Sequence, residues 1–230
     1  MDWHRYESAL TSSGLFQGFE PKEREVILNR GPVRSGWYQR EELVQRTGEP
    51  VRGVGLVLEG NVEISRVSLS GRRSLIANLG QGELFGEGLA CAGVAISPVD
   101  VWTLGHAVIL FLDLPPAAAD IVGDPLRARL TNNLLRIMGQ KTLMISEQLD
   151  ILSRGSIRSK LALYLLRRME AAGSGLFTIP LNRNDLAAYL GVDRSALSRV
   201  LSGMASLGVL SYRKNVFEVL DPETLEEWVD

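Results

Sequence analysis

Between positions 194 and 202 the chain reads Arg194-Ser195-Ala196-Leu197-Ser198-Arg199-Val200-Leu201-Ser202. Wound as an α-helix at about 100° per residue, Arg194, Ser195, Ser198, Arg199 and Ser202 fall within an arc of about 140°. Ala196, Leu197, Val200 and Leu201 fall on the opposite side. One face is wholly apolar. The other bears two guanidinium forks and three hydroxyls, with no Asp, Glu or Lys. These are the groups that hydrogen-bond guanine edges and phosphate oxygens. An ordinary amphipathic surface helix explains the apolar side, but not a solvent face without a single carboxylate or lysine.

The preceding residues supply what such a helix needs to be positioned. Asn182 is placed to cap a first helix, with Asp185 three residues on. Leu186 and Leu190 face a core, and the small Ala187 and Ala188 permit close helix approach. Gly191 suits a tight turn, and Asp193 caps the second helix. This order is that of a helix-turn-helix. Beyond Gly208, the runs Val209–Tyr212 and Val216–Val219 flank Arg213-Lys214-Asn215, a hairpin with a basic tip, as a wing would be. The candidate DNA-binding residues are Arg183, Arg194, Ser195, Ser198, Arg199 and Lys214. The charge distribution agrees. The formal net charge is only −2, but residues 154–215 carry 10 basic and 3 acidic residues, while residues 216–230 carry six acidic and no basic ones. A basic block is what a polyanionic partner requires.

The rest of the 230 residues must carry this unit and whatever controls it. That length and a 45% hydrophobic content fit two compact domains. Residues 1–30 read as short helices with an apolar pattern through Leu10, Leu15, Phe16, Val26, Ile27 and Leu28. From Val33 to Leu112 short apolar runs alternate with turn signals such as Gly48-Glu49-Pro50, Gly60-Asn61, Ser70-Gly71 and Gly80-Gln81-Gly82. This punctuation predicts an antiparallel β-roll, with Val101–Leu112 supplying the last strands. Asp124-Pro125 opens a long helix to about Leu152. It bears two apolar stripes, Leu130/Leu134/Ile137/Lys141/Met144/Gln148/Ile151 and Leu135/Met138/Thr142/Ile145/Leu149/Leu152. Two stripes call for two partners, here the β-roll and the same helix of a second subunit; the second stripe lacks charge and is the better seam by composition, although composition alone does not assign it. Ser153-Arg154-Gly155-Ser156 breaks that helix and caps the next, which runs from Ile157 to about Ala172. The expected fold is α+β: a β-roll domain over residues 1–124, a dimerisation helix over 125–153 and a winged helix-turn-helix over 154–230.

Taken as an ordered set, these features resemble the Crp/Fnr (catabolite activator / fumarate–nitrate regulator) superfamily of transcription regulators. The resemblance lies in the β-roll punctuation, Gly48-Glu49-Pro50, the run Gly82-Glu83-Leu84-Phe85-Gly86-Glu87, the long helix, and the Gly191–Arg199 segment with its wing. It implies a cyclic-nucleotide-binding-type effector domain, a homodimer, a near-palindromic duplex operator and RNA polymerase as a further partner. Arg194, Ser198 and Arg199 match the family's recognition helix. Ser195 stands where a glutamate is common, so the family's usual target sequence does not carry over. The effector cassette it implies contains Gly86, Glu87, Leu89 and Cys91, with Ser146 of the long helix as a further polar contact. Cyclic-nucleotide members follow the Gly-Glu pair with an Arg that meets the phosphate. Here that Arg would fall at Ile96 or Ser97, and no cation occurs from Cys91 to Val99. A desolvated phosphate without a guanidinium loses a charge-assisted contact. The expected effector is therefore an unidentified small molecule other than cyclic AMP. Redox or haem sensing through Cys91 or His106 is the alternative.

Other chemistry is poorly represented. Gly53-Val54-Gly55 is half a dinucleotide fingerprint followed by strand-like residues, and reads as core. His4 and His106 lack a second ligand at metal spacing, so neither a metal nor another cofactor is expected. A nucleophile–base pair is missing, which argues against an enzyme. A single cysteine rules out an internal disulfide. Val101–Leu112 is too short to cross a bilayer, and the polar N-terminus is unlike a signal peptide, so the expected location is the cytoplasm.

Overall fold

The computed structural model describes residues 2–31, 33–67, 72–113 and 124–229. The turn expected at Ser70-Gly71 lies outside them. The chain divides into two units, Met1–Gln140 and Lys141–Asp230.

In the first unit, 3-10 turns at Trp3–Tyr6 and Gly14–Phe16 flank α1 (Glu7–Ser12), and α2 (Pro21–Arg30) follows. Then come β1 (Val33–Tyr38), β2 (Leu43–Gln45), β3 (Val54–Glu59), β4 (Val62–Val67), β5 (Arg73–Leu79), β6 (Leu84–Phe85), the short helix α3 (Glu87–Cys91), β7 (Asp100–Thr103) and β8 (Ala107–Leu112). They form two four-stranded antiparallel sheets, ordered β1-β8-β3-β6 and β2-β7-β4-β5. This is the expected β-roll.

The first sheet is covered on both faces. Val54, Leu56, Leu58, Leu110 and Leu112 pack with Leu10, Leu15 and Phe16 and with Leu130 and Leu134. Val57, Ile109 and Phe111 point the other way, into a core shared with Val44, Val62 and Val101 of the second sheet. Alternate residues of a strand face opposite ways, so a doubly covered strand must be apolar at every position. That is why β8 reads Ala-Val-Ile-Leu-Phe-Leu, and why Val54-Gly55 opens a buried strand, with Gly53 just before it at φ 98°. One expectation needs correction. Ile27 and Leu28 are buried but Val26 is exposed, because three successive helical residues span about 200° and cannot share one face.

Asp124 Oδ1 accepts from the backbone N–H of Leu126 and of Arg127, both at 3.1 Å, and starts α4 (Pro125–Ser153). In the second unit Ser156 caps α5 (Ile157–Ala172) through the Ser159 N–H at 3.0 Å, and Gly173 ends it with φ 61°. There follow β9 (Leu176–Thr178), α6 (Arg183–Tyr189), α7 (Arg194–Ser206), β10 (Leu210–Arg213), β11 (Val216–Val219) and α8 (Pro222–Glu227). The strands form one antiparallel sheet ordered β10-β11-β9. Ile151, Leu161, Tyr164, Leu186, Leu197, Leu201 and Phe217 fill its core.

Candidate nucleic-acid interface

The helix-turn-helix is set by three local devices. Asn182 Oδ1 accepts from the N–H groups of Asn184 (2.8 Å) and Asp185 (3.1 Å) and starts α6. Gly191 takes φ 63° at the turn, a conformation that costs a residue with a Cβ. Asp193 Oδ1 accepts from the N–H groups of Ser195 (2.8 Å) and Ala196 (3.1 Å), and also from the Ser195 hydroxyl. These bonds, led by the Ser195 hydroxyl, hold the Asp193 carboxyl below the usual carboxylate range.

Leu197 and Leu201 are fully buried against the core that contains Leu186 and Leu190. With that face fixed, Arg194, Ser195, Arg199 and Ser202 are exposed, and Ser198 is half-buried between them. The two-faced helix expected from the sequence is therefore present, with one change. The Ser195 hydroxyl hydrogen is engaged by Asp193, so it is not a free donor. The β10–β11 hairpin carries Lys214 at its tip with φ 56°, exposed.

The basic block divides sharply. Arg154 and Arg167 pair with Asp150, Arg158 lies 4.9 Å over the Trp228 ring, and Lys160 donates to the Leu190 carbonyl. Arg168 lies 5.2 Å over Tyr164, and Arg183 lies over Tyr212 and Phe217. Six of the ten cations counted from the sequence thus hold the unit together. Arg194, Arg199, Arg213 and Lys214 have no side-chain hydrogen bond or ion pair among the described residues, and all four lie on α7 or the wing.

The candidate effector cassette lies in the first unit. Gly86 precedes α3 with φ 74°, and a Cβ there would come within 2.9 Å of the Gly53 carbonyl oxygen. Glu87 is buried and Leu89 half-buried. The segment after α3 pairs with the Gly48-Glu49-Pro50 motif, Gly48 N donating to Ser97 O and Ser97 N to Glu49 O, both at 2.9 Å. Cys91 is exposed; partial desolvation, and then the Glu87 carboxylate, push its thiol up. That lowers the thiolate fraction on which redox sensing relies. Ser146 is exposed on α4 within the second unit, and His106 is exposed between β7 and β8. Among the described residues no cluster of His, Cys, Asp or Glu is arranged to hold a metal ion, and no helix is long and apolar enough to cross a membrane.

Two family models match: the cyclic nucleotide-binding domain over residues 36–116 and the Crp-like helix-turn-helix domain over residues 159–228. The chain belongs to the Crp/Fnr family of DNA-binding transcription regulators. It is 29% identical over 225 residues to the cyclic AMP receptor protein of Thermus thermophilus, covering 95% of this chain and 97% of that one. It is 24% identical over 226 residues to the CRP-like cAMP-activated global transcriptional regulator of Mycobacterium tuberculosis, with the same coverage. The crystal structure of the Thermus thermophilus catabolite activator protein aligns at a TM-score of 0.51 and 26% identity, over 94% of this chain and 98% of that one. The Crp/Fnr resemblance drawn from the sequence is thereby established.

The capping geometry makes a pH-dependent prediction. A carboxyl whose folded pKa is depressed contributes stability above its unfolded pKa, and that contribution is lost as pH falls through the folded value. Asp193→Ala should therefore melt at a lower temperature than the parent at pH 7. The gap should hold above about pH 4, the ordinary aspartate value, and narrow as the pH is lowered below it through the range of the depressed folded value. Circular-dichroism melts across that range check it, and a gap independent of pH would contradict the charged cap.

Proposed function

We propose that this regulator is a homodimer that reads a near-palindromic duplex operator with α7 and the wing, under control of a small effector other than cyclic AMP. The observation that carries the DNA assignment is the partition of cations: the four of the basic block without a side-chain hydrogen bond or ion pair among the described residues all lie on α7 or the hairpin. Arg194 and Arg199, with Ser195 and Ser198, read base edges, while Lys214 meets phosphate.

Dimerisation is supported by the second stripe of α4. Leu130, Leu134 and Ile151 of the first stripe are buried in the two cores, whereas Leu135, Ile145 and Leu149 of the second are 58%, 59% and 61% exposed. They share an arc of about 100° with Thr142 and Leu152. A second copy of the helix offers the matching surface, with the two recognition helices related by a dyad. The cytoplasm is the place of action, and RNA polymerase the further partner by family resemblance.

The effector assignment rests on the cassette. The relatives described above are named for cyclic AMP, but the segment from Cys91 to Val99 that pairs with Gly48-Glu49-Pro50 carries no cation. Its lining of Leu89, Ala90, Cys91, Ala92 and Val94 suits an apolar or aromatic ligand, with buried Glu87 as the polar contact.

Three outcomes are expected. Arg199→Ala should remove the discrimination between operator and random DNA, worth about 1–3 kcal/mol for a bidentate arginine–base contact. Gel shifts on fragments from the protein's own upstream region against random duplex check this, and equal losses on both would remove Arg199 from base reading. Ile145→Glu should give monomers in sedimentation at micromolar concentration; a monomeric parent would refute the dimer. Titration calorimetry with cyclic AMP should show no heat. Micromolar binding together with tighter operator affinity would overturn the effector assignment.

A further inference from the structure

We propose that Arg183 is the positioning residue of the wing, acting on DNA through Lys214 rather than by touching phosphate itself; this rests on the DNA-reading assignment above. Arg183 opens α6, yet its side chain is half-buried against the hairpin. Its guanidinium carbon lies 5.1 Å from the centroid of Tyr212 and 5.7 Å from that of Phe217, within the range at which a ring face attracts a cation. Those rings stack with centroids 5.9 Å apart and planes 25° apart, and Phe217 stacks on Phe177 at 6.3 Å and 16°. Each strand of the β10-β11-β9 sheet contributes one ring to this pile, and the guanidinium sits over two of them.

The same side chain fixes the tip. Arg183 Nη2 donates to the Lys214 carbonyl oxygen at 3.4 Å. On the other side the Ile179 N–H donates to Asn215 O at 2.9 Å, and Asn215 Nδ2 donates to Ile179 O at 3.0 Å. The two-residue tip is thus gripped by α6 at Lys214 and by Ile179, the residue after β9, at Asn215. Lys214 has φ 56°, an uncommon conformation for a residue with a Cβ, which persists where neighbouring contacts impose it. Its backbone is held while its ammonium group remains exposed.

A flat guanidinium can stack on rings and donate from its edge at once, and an ammonium cannot reproduce both. This separates positioning from phosphate contact. A phosphate-contacting arginine is largely replaced by lysine, whereas a ring-stacking one is not. Burial also holds the Arg183 guanidinium below its ordinary range, and the Arg194 charge acts in the same direction.

The test uses the full chain and a random-sequence fluorescent duplex, with anisotropy measured across a KCl series. Lys214→Ala should reduce the slope of log Kd against log salt by about one, weakening binding roughly five- to tenfold at 0.1 M KCl. Arg183→Lys should do the same although it keeps the charge, and Tyr212→Leu, which leaves Arg183 in place, should copy it. The double variant R183K/K214A should bind no more weakly than Lys214→Ala alone. Wild-type binding by Arg183→Lys, or a loss in the double variant that adds to that of Lys214→Ala, would overturn the proposal. Unchanged binding by Lys214→Ala would instead strike down the wing contact itself, and the positioning role with it.

Discussion

The DNA-facing end of this protein depends on the burial of Leu197 and Leu201 beneath α7. A helix of 13 residues has little stability of its own in water and takes its orientation from the face it packs. Here that face shares a core with Leu186 of the preceding helix and Leu190 just after it, with Leu161, Leu165 and Phe217 in the same core. Once those leucines are fixed, the direction of Arg194 and Arg199 follows from helical geometry alone. Asp193 and Asn182 then fix where each helix begins, which sets the height of the two guanidinium groups above the core.

What could be read from the sequence divides along the same physical line. The caps at Asn182 and Asp193, the turn at Gly191, the Ser156 cap and the start of α4 at Asp124 are all short-range events. The residues that make them stand within three or four positions of one another. The β-roll was legible because its turns recur and its strands alternate with them. The role of individual cations was not legible. Arg154, Arg158, Lys160 and Arg183 meet partners between 4 and about 75 positions away, so a count of charges does not tell which cations are taken up by contacts within the unit. Strand β9 was missed because three residues become a strand only by pairing with β11. Composition favours the second stripe of α4 as the seam, because it lacks charge, but does not assign it; Leu130, Leu134 and Ile151 of the first stripe are buried, while Met144 of that stripe is as exposed as Leu149 of the second.

The effector end follows a different logic. Its first sheet is buried on both faces, so its strands are constrained at every position and leave little freedom for chemistry. Freedom remains in α3 and the segment beyond it, where Gly86 turns the chain and the pairing with Gly48-Glu49-Pro50 holds the following residues. A family can therefore keep the roll and vary what it senses in a stretch of about a dozen residues. In this chain that stretch carries no cation from Cys91 to Val99.

The cap on α7 also carries a polarity. Because the Ser195 hydroxyl hydrogen points back to Asp193, its oxygen offers only lone pairs to anything in front of the helix. An acceptor at that position favours the exocyclic amino groups of cytosine or adenine and is unfavourable toward the O6 and N7 of guanine or a phosphate oxygen. Its two arginine neighbours, which only donate, have the reverse taste. The helix thus presents donors and an acceptor side by side, and a base step that matches both must place a purine acceptor edge next to an amino group.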